Sequence, residues 1–259
     1  MKERITVVKI GGAFLENESE LETISRKFAS MQGKRILVHG GGKRASQISQ
    51  ALGIEPKLIG GRRITDRKTL EVVTMVYGGW ANKNLVGRLQ SLGCNAIGLS
   101  GADADLIRAV RRPVKEVDYG YVGDVESVNV ASLQLLLRAG LTPVFCALTH
   151  NGKGQLLNTN ADTVAAEIAK ALGGEYRTSL YYCFDKKGVL RDLNDPNSVI
   201  AHLDQATFRD LEGKGIIAEG MMPKLHNSFG ALEGGVEEVC IGPPELMTGN
   251  AGIFTKLSL

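Results

Sequence analysis

No stretch of this sequence approaches the roughly 18 apolar residues that span a bilayer, so no membrane helix is expected. Charge of one sign is scarce as well. The 31 basic and 28 acidic residues leave a net +3, too little to argue for nucleic acid or a membrane surface as partner. The four cysteines, Cys94, Cys146, Cys183 and Cys240, are widely spaced and sit in or beside apolar runs. No pair has metal-site spacing, and buried free thiols in a reducing cytosol are expected. Met1-Lys2-Glu3-Arg4 enters a strand almost at once, so no signal peptide is expected and the protein is read as cytoplasmic. A Walker A loop is missing too, because no Gly-Lys pair is followed by Ser or Thr.

What is present is an ordinary globular composition, 43% hydrophobic and 23% charged over 259 residues. That length suffices for one large α/β domain or two fused lobes. The first run, Ile5-Thr6-Val7-Val8-Lys9-Ile10, reads as a buried parallel strand stopped by Gly11-Gly12. A lysine inside such a run is costly unless its ammonium reaches the strand end or meets an anion. Lys9 lies at that end, beside glycines whose amides a ligand can approach closely. A second strand, Arg35 to Val38, ends in His39-Gly40-Gly41-Gly42 and leads into a helix from Lys43. Free amides at a helix start favour anions, so the two glycine turns suggest a phosphate clamp.

Along the rest of the chain, helices and strands alternate. Ser19 to Glu22 reads as a capping box, and Asp66 to about Leu92 as a long helix interrupted at Gly78-Gly79. Asn95 to Ser100 is a strand, and Asp105–Val110 and Tyr121–Val130 read as hairpin arms. A helix over Ala131–Ala139 and a strand over Thr142–Leu148 precede a loop, Leu157 to Asp162, that enters a helix from Thr163. A strand over Ser179–Phe184, a helix over Asp204–Glu212 and a helix opened by Pro223 follow, with Val236–Ile241 as the last core strand. This order predicts a three-layer α/β/α sandwich on a mostly parallel central sheet. Gly40, Gly42 and Ala45 loosely satisfy a dinucleotide fingerprint. The acidic residue it needs about 20 positions on is replaced by Gly60-Gly61-Arg62-Arg63, which argues against hydride transfer.

Taken together, the motifs resemble the amino-acid kinase family, and within it the N-acetylglutamate kinases. The matching stretches are Val8-Lys9-Ile10-Gly11-Gly12, His39 to Gly42, Gly61 to Thr65, Asn82 to Val86 and Tyr121 to Val125. Leu157 to Asp162, Asp185 to Leu190 and Gly220 to Lys224 complete an ordered set that covers the chain nearly end to end. The resemblance implies a single domain over 1–259. Its N-terminal lobe, about 1–176, would take the acyl-amino acid, and its C-terminal lobe, about 177–259, would take ATP.

By the same resemblance, Lys9 and Lys224 act on the transferring phosphoryl group and Asp162 orients them. Gly11 and Gly12 approach the ATP phosphates, and Gly41 and Gly42 line the acyl-amino-acid site. Arg63 and Asn158 bind substrate carboxylate and amide groups, with Asn160 supporting that end. Asp185, Lys186, Lys187, Gly188, Val189 and Leu190, with Ile216, Ile217 and Ala218, hold the nucleotide. No protein metal ligand is expected, since Mg²⁺ rides on the ATP phosphates. A γ-carboxylate nucleophile, with a reference pKa of about 4.3, is already ionised at neutral pH and needs no general base. Catalysis is then positioning plus charge neutralisation.

The residues have simpler rival roles. Lys9 could only snorkel, Asp162 could only cap its helix, Arg63 could pair with Asp66 on the surface, and His39 reads as a packed structural residue. The expected reaction is ATP-dependent phosphorylation of N-acetylglutamate in arginine biosynthesis. Glutamate 5-kinase, aspartokinase and carbamate kinase are sister readings, and a non-catalytic amino-acid sensor is the rival from another class. Arg62 stands where relatives commonly carry an apolar residue. If it faces the pocket, N-succinylglutamate is the alternative substrate; if it alternates away from Arg63, it meets solvent. The short segment before Lys9 leads us to expect a homodimer packed around Gly78-Gly79 and insensitive to arginine.

Overall fold

Short β-branched runs set the strands. In chain order they are β1 (Arg4–Ile10), β2 (Lys34–His39), β3 (Leu58–Ile59), β4 (Arg62–Arg63), β5 (Ala96–Leu99), β6 (Ile107–Arg111) and β7 (Gly123–Val128). There follow β8 (Thr142–Phe145), β9 (Leu148–His150), β10 (Leu156–Asn158), β11 (Arg177–Cys183), β12 (His202–Asp204), β13 (Glu238–Gly242) and β14 (Thr255–Ser258). The α-helices are α1 (Glu18–Ser30), α2 (Gly42–Ala51), α3 (Arg67–Val73), α4 (Asn82–Ser91), α5 (Val130–Arg138), α6 (Ala161–Gly173), α7 (Gln205–Gly213) and α8 (Met222–Glu233). This computed structural model describes residues 2–192, 194–217 and 220–259, so Ala218 lies outside the described residues.

Eight strands form one sheet in the order β12-β14-β13-β11-β1-β2-β8-β5, with only β13 and β14 antiparallel. A second sheet runs β10-β9-β6-β7, and β3 pairs with β4 as a hairpin. The hairpin turn, Gly60-Gly61, has both residues at positive φ, a conformation that favours glycine. β1 is flanked by β2 on one side and by β11, much later in the chain, on the other. The order therefore reverses at β1, and a crevice opens at the carboxyl ends of these strands, the usual ligand position in such sheets.

The pleat decides which face each β1 side chain meets. Val8 and Ile10 pack with Leu21, Ile24 and Phe28 of α1 and with Leu85 and Leu89 of α4. Ile5 and Val7 pack on the opposite face, with apolar residues of α6 and α8 such as Val164 and Leu225. Lys9 shares the parity of Ile5 and Val7. It is thereby aimed at the face where α6 and α8 lie side by side.

Several expectations need correction. The cap of α1 is Asn17, whose side chain accepts from the backbone of Ser19 and Glu20, two residues before the expected box. The glycine pair does not break the long helix. Thr74–Ala81 continues it as a π-helical segment between α3 and α4. The apolar run Thr142–Leu148 is two strands in two sheets, because the chain crosses between them at Cys146-Ala147. β13 is not the last strand either. β14 returns antiparallel to β13 and parallel to β12 between them, and Thr255 within it donates to the carbonyl of Ile200 and accepts from the amide of Val189. All four cysteines are buried and free, as expected.

Candidate active site

Asn160 caps α6, its side chain accepting from the amides of Asp162 and Thr163. Asp162 is therefore not the cap. It sits in the first turn, where the helix dipole favours an anion. Pro223 opens α8 and leaves Lys224 in its first turn. These two helix starts meet Lys9 at the end of β1. Lys9 Nζ lies 2.6 Å from Asp162 Oδ1 as an ion pair out of line for a directional hydrogen bond. Lys224 Nζ donates to Asp162 Oδ2 at 3.0 Å. The three side chains are only 10–14% exposed.

The electrostatics follow from two ammonium groups sharing one carboxylate. Burial alone would raise the Asp162 carboxyl, but Lys9 and Lys224 outweigh it and hold the group well below the usual carboxylate range. The Lys224 ammonium is pushed down to about 8, by burial first and by the charge of Lys9 second, with Asp162 opposing both. The cluster thus carries surplus positive charge in a dry setting, a state that an incoming anion relieves. Tyr182 supports it from below. Its hydroxyl donates to the Asp162 carbonyl at 2.9 Å, and its ring centroid lies 4.7 Å from Lys224 Nζ.

Beside the cluster opens a cavity of about 220 Å³ that Lys9, Gly41, Gly42, Arg63, Asn158 and Asp162 all help to line. The two glycine turns touch: a Cβ on Gly12 would stand 2.9 Å from the Gly41 amide nitrogen. One on Gly41 would strike the Tyr77 ring at 2.9 Å. Arg63 does not pair with Asp66, which instead caps α3. Its Nη2 donates to the Gly42 carbonyl and to Ser46 Oγ, both at 2.7 Å, while its Nη1 is buried without a partner. A buried, unsatisfied guanidinium nitrogen in a cavity wall suits a carboxylate ligand. Asn158 donates to Thr65 Oγ1 at 3.0 Å and keeps its carbonyl oxygen for other partners. Asn160, also in the wall, is otherwise exposed.

His39 is structural, as expected. It is fully buried, its Nδ1 is 2.7 Å from the Gly40 carbonyl and its Nε2 3.1 Å from Asn82 Nδ2. Burial pushes its imidazole down to about 4, so it is neutral at physiological pH. In that form Nδ1–H donates to Gly40 and Nε2 accepts from Asn82, which steadies the glycine turn.

The residues expected around the nucleotide are more dispersed. Asp185 is exposed and borders a separate cavity of about 380 Å³ with Phe14, Lys27 and Pro244. Lys186 and Lys187 are exposed, and Lys187 donates to Asn197. Gly188, Val189 and Leu190 are buried, and Val189 shares a core cluster with Ile217, against which the half-buried Ile216 packs. Gly11 is held by its amide on the Cys183 carbonyl at 3.1 Å.

Three residues of the site carried no signal in the sequence. Tyr77 reaches it from the π-helical segment, Tyr182 from β11, and Arg112 from the end of β6. Each reads locally as core or solvated surface, and only the packing of distant elements brings it to the cavity. Arg62, whose orientation was open, lines the same cavity as Arg63.

The chain is similar to known proteins over nearly its whole length. The acetylglutamate kinase of Phocaeicola vulgatus is 52% identical over 256 residues, 99% of this chain and 100% of that one. The acetylglutamate kinase of Bacteroides thetaiotaomicron is 53% identical with the same shares. Among solved structures, the N-acetylglutamate synthase of Neisseria gonorrhoeae, complexed with coenzyme A and N-acetyl-glutamate, superposes with a TM-score of 0.83. Its identity is 21%, over 98% of this chain and 59% of that one, a likeness of fold. Residues 4–243 match the model of the amino acid kinase family. With that match and those relatives, the chain belongs to the amino acid kinase family.

Proposed function

We propose that the protein transfers the γ-phosphoryl group of ATP to the γ-carboxylate of N-acetylglutamate, giving N-acetylglutamyl 5-phosphate in arginine biosynthesis. The observation that carries this reading is Asp162 bridging Lys9 and Lys224 at the edge of a cavity whose wall holds an unsatisfied Arg63 nitrogen. Full-length similarity to acetylglutamate kinases supports the same substrate.

The chemistry needs charge management more than proton transfer. A γ-carboxylate oxygen attacks the γ-phosphorus, one O–P bond forms, and the bond to the β–γ bridging oxygen breaks as ADP leaves. No proton moves. Lys9 and Lys224 stabilise the charge spread over the transferring group, and Asp162 keeps the two ammonium groups from separating. The amide of Gly12 steadies the ATP phosphates, which Gly11 lets approach closely while its own amide stays on Cys183, and those of Gly41 and Gly42 steady the acceptor carboxylate. Arg63, with Asn158 and Asn160, fixes the α-carboxylate and amide of the substrate.

Asp185 to Leu190, with Ile216 and Ile217, form the nucleotide side. The acyl-amino acid then belongs to the lobe of about 1–176, a division supported by the cavity wall, whose residues run from Lys9 to Asp162. Bound Mg²⁺ neutralises part of the triphosphate charge. That ion would ride on the ATP phosphates. No helix among the described residues is long and apolar enough to cross a membrane. The enzyme works in the cytoplasm with its thiols reduced. It forms a homodimer through the π-helical segment, where Met75 and Trp80 are 58% and 38% exposed. Light scattering at the monomer mass would refute the dimer.

The test of the reaction is ADP release, coupled to NADH oxidation, with ATP, Mg²⁺ and N-acetylglutamate. Hydroxylamine trapping of the acyl phosphate identifies the product. ADP release that does not depend on the amino acid would overturn the reading.

A further inference from the structure

Arg63 can meet the substrate α-carboxylate, but not with a full fork. A guanidinium grips a carboxylate through two adjacent nitrogens, and Nη2 belongs to either such pair, with Nη1 or with Nε. Both hydrogens of Arg63 Nη2 are already donated, to the Gly42 carbonyl and to Ser46 Oγ. Nη1 is buried and open. One carboxylate oxygen is thus left without a donor from this arginine. An anionic oxygen taken out of water and left unmet is costly, so the site needs a second donor close to Arg63.

Tyr77 stands where that donor is needed. It is only 6% exposed, and it lines the cavity together with Gly41, Gly42 and Arg63. Its hydroxyl and Arg63 Nη2 both approach Gly42: a Cβ built there would stand 3.7 Å from the one and 3.8 Å from the other. Apart from its approach to the Arg63 side chain, no hydrogen-bond partner reaches the hydroxyl among the described residues. Beside a cation a phenol turns its oxygen to the charge and its hydrogen away, so the hydrogen is free for a ligand. Burial raises the hydroxyl's pKa, and Arg63 opposes this only in part, so the group stays a donor at working pH.

The backbone beneath Tyr77 is unusual as well. Val73, Val76 and Tyr77 face one core cluster, whereas Ala81, Leu85 and Leu89 face the other, and the π-helical segment Thr74–Ala81 makes the change. Such segments are frequent at functional sites. A role confined to packing against Gly41 would be met by phenylalanine, which buries no polar atom.

We propose that Tyr77 is a substrate-binding residue whose hydroxyl donates to the α-carboxylate oxygen that Arg63 leaves unmet, and that it thereby selects acyl-amino acids with a free α-carboxylate. This rests on the carboxylate-kinase reading and adds one residue to its site.

The experiment measures steady-state kinetics of the natural protein and of Tyr77→Phe at saturating Mg-ATP. The acceptors are N-acetylglutamate and its α-carboxamide, which keeps the γ-carboxylate that is phosphorylated. Tyr77→Phe should raise KM for N-acetylglutamate about ten- to hundredfold, the effect of one hydrogen bond to a charged group, and lower kcat far less. The natural preference for the acid over the α-carboxamide should shrink by a similar factor, which loss of packing alone would not produce. A KM within twofold of the natural value, or an unchanged preference, would overturn the proposal and leave the kinase reading intact. So would a variant that urea denaturation shows to be unfolded or severely destabilised, because the hydroxyl would then be structural. Failure of the natural protein to phosphorylate N-acetylglutamate would overturn the reading beneath the proposal, and the proposal with it.

Discussion

Replacing Asp162 by Asn takes the only anion out of a buried cluster of three charges. At 2.6 and 3.0 Å, opposite unit charges attract by about 6 kcal/mol each for an effective dielectric of about 20. Desolvation of the three groups cancels much of this, and breaking a buried pair from one side typically costs about 3–5 kcal/mol. The amide still accepts a hydrogen bond, so we expect a loss of about 3 kcal/mol in stability at pH 7, read from urea denaturation. The pH dependence has a definite sign. In the natural protein the depressed Asp162 carboxyl contributes stability that is full above the ordinary carboxylate range. That contribution is lost as the pH falls through the group's own lower value. Lys224 has the same sign in a different window: its folded value of about 8 lies below the unfolded 10.5, so its burial penalty is relieved as pH rises through that interval. Without Asp162 the Lys224 ammonium falls further, and relief begins at lower pH. The penalty of Asp162→Asn should therefore shrink between pH 7 and pH 9, while turnover stays strongly reduced and substrate binding suffers less. A variant as stable as the natural protein at pH 7, or a penalty that grows toward pH 9, would refute this electrostatic account.

Other outcomes follow from the same geometry. Lys9→Ala and Lys224→Ala should each lower kcat by orders of magnitude while circular dichroism stays native, and near-normal turnover in Lys224→Ala would break the clamp assignment. In the free enzyme kcat/KM for ATP should decline above pH about 8 as Lys224 loses its proton, and a profile flat to pH 10 would exclude that role. Arg63→Ala should raise KM for the acyl-amino acid tenfold or more, because the lost guanidinium is a buried donor in the cavity wall with an open nitrogen. An unchanged KM would place the α-carboxylate elsewhere.

Much of this protein is legible without coordinates where the governing physics is local. The Ile5–Ile10 run, its lysine and its Gly-Gly stop announce a buried strand with an anion site, because a charge inside an apolar run must be answered nearby. Pro223 marks a helix start by its missing amide, a matter of a few residues, whereas α6 is capped by Asn160 and not by the expected Asp162. The pleat even assigns Lys9 to one face of the sheet. Local rules failed where alternatives were nearly equal in energy. Asn17 rather than Ser19 caps α1, the glycine pair is carried as π-helix, and one apolar run is shared between two sheets. What occupies the face that Lys9 meets was decided only by tertiary packing. α6 lies over β1 with α8 packed beside it, and this alone turns residues from opposite ends of the chain into one charge cluster. Arg112, Tyr77 and Tyr182 have no local reason to be more than surface or core. Arg62 and Arg63, neighbours that strand alternation would send apart, reach one cavity because a two-residue strand in a tight glycine hairpin is too short to enforce it. Propensity and pattern act over a few residues, whereas a site is a convergence of distant ones, and that convergence exists only once the apolar faces have been buried.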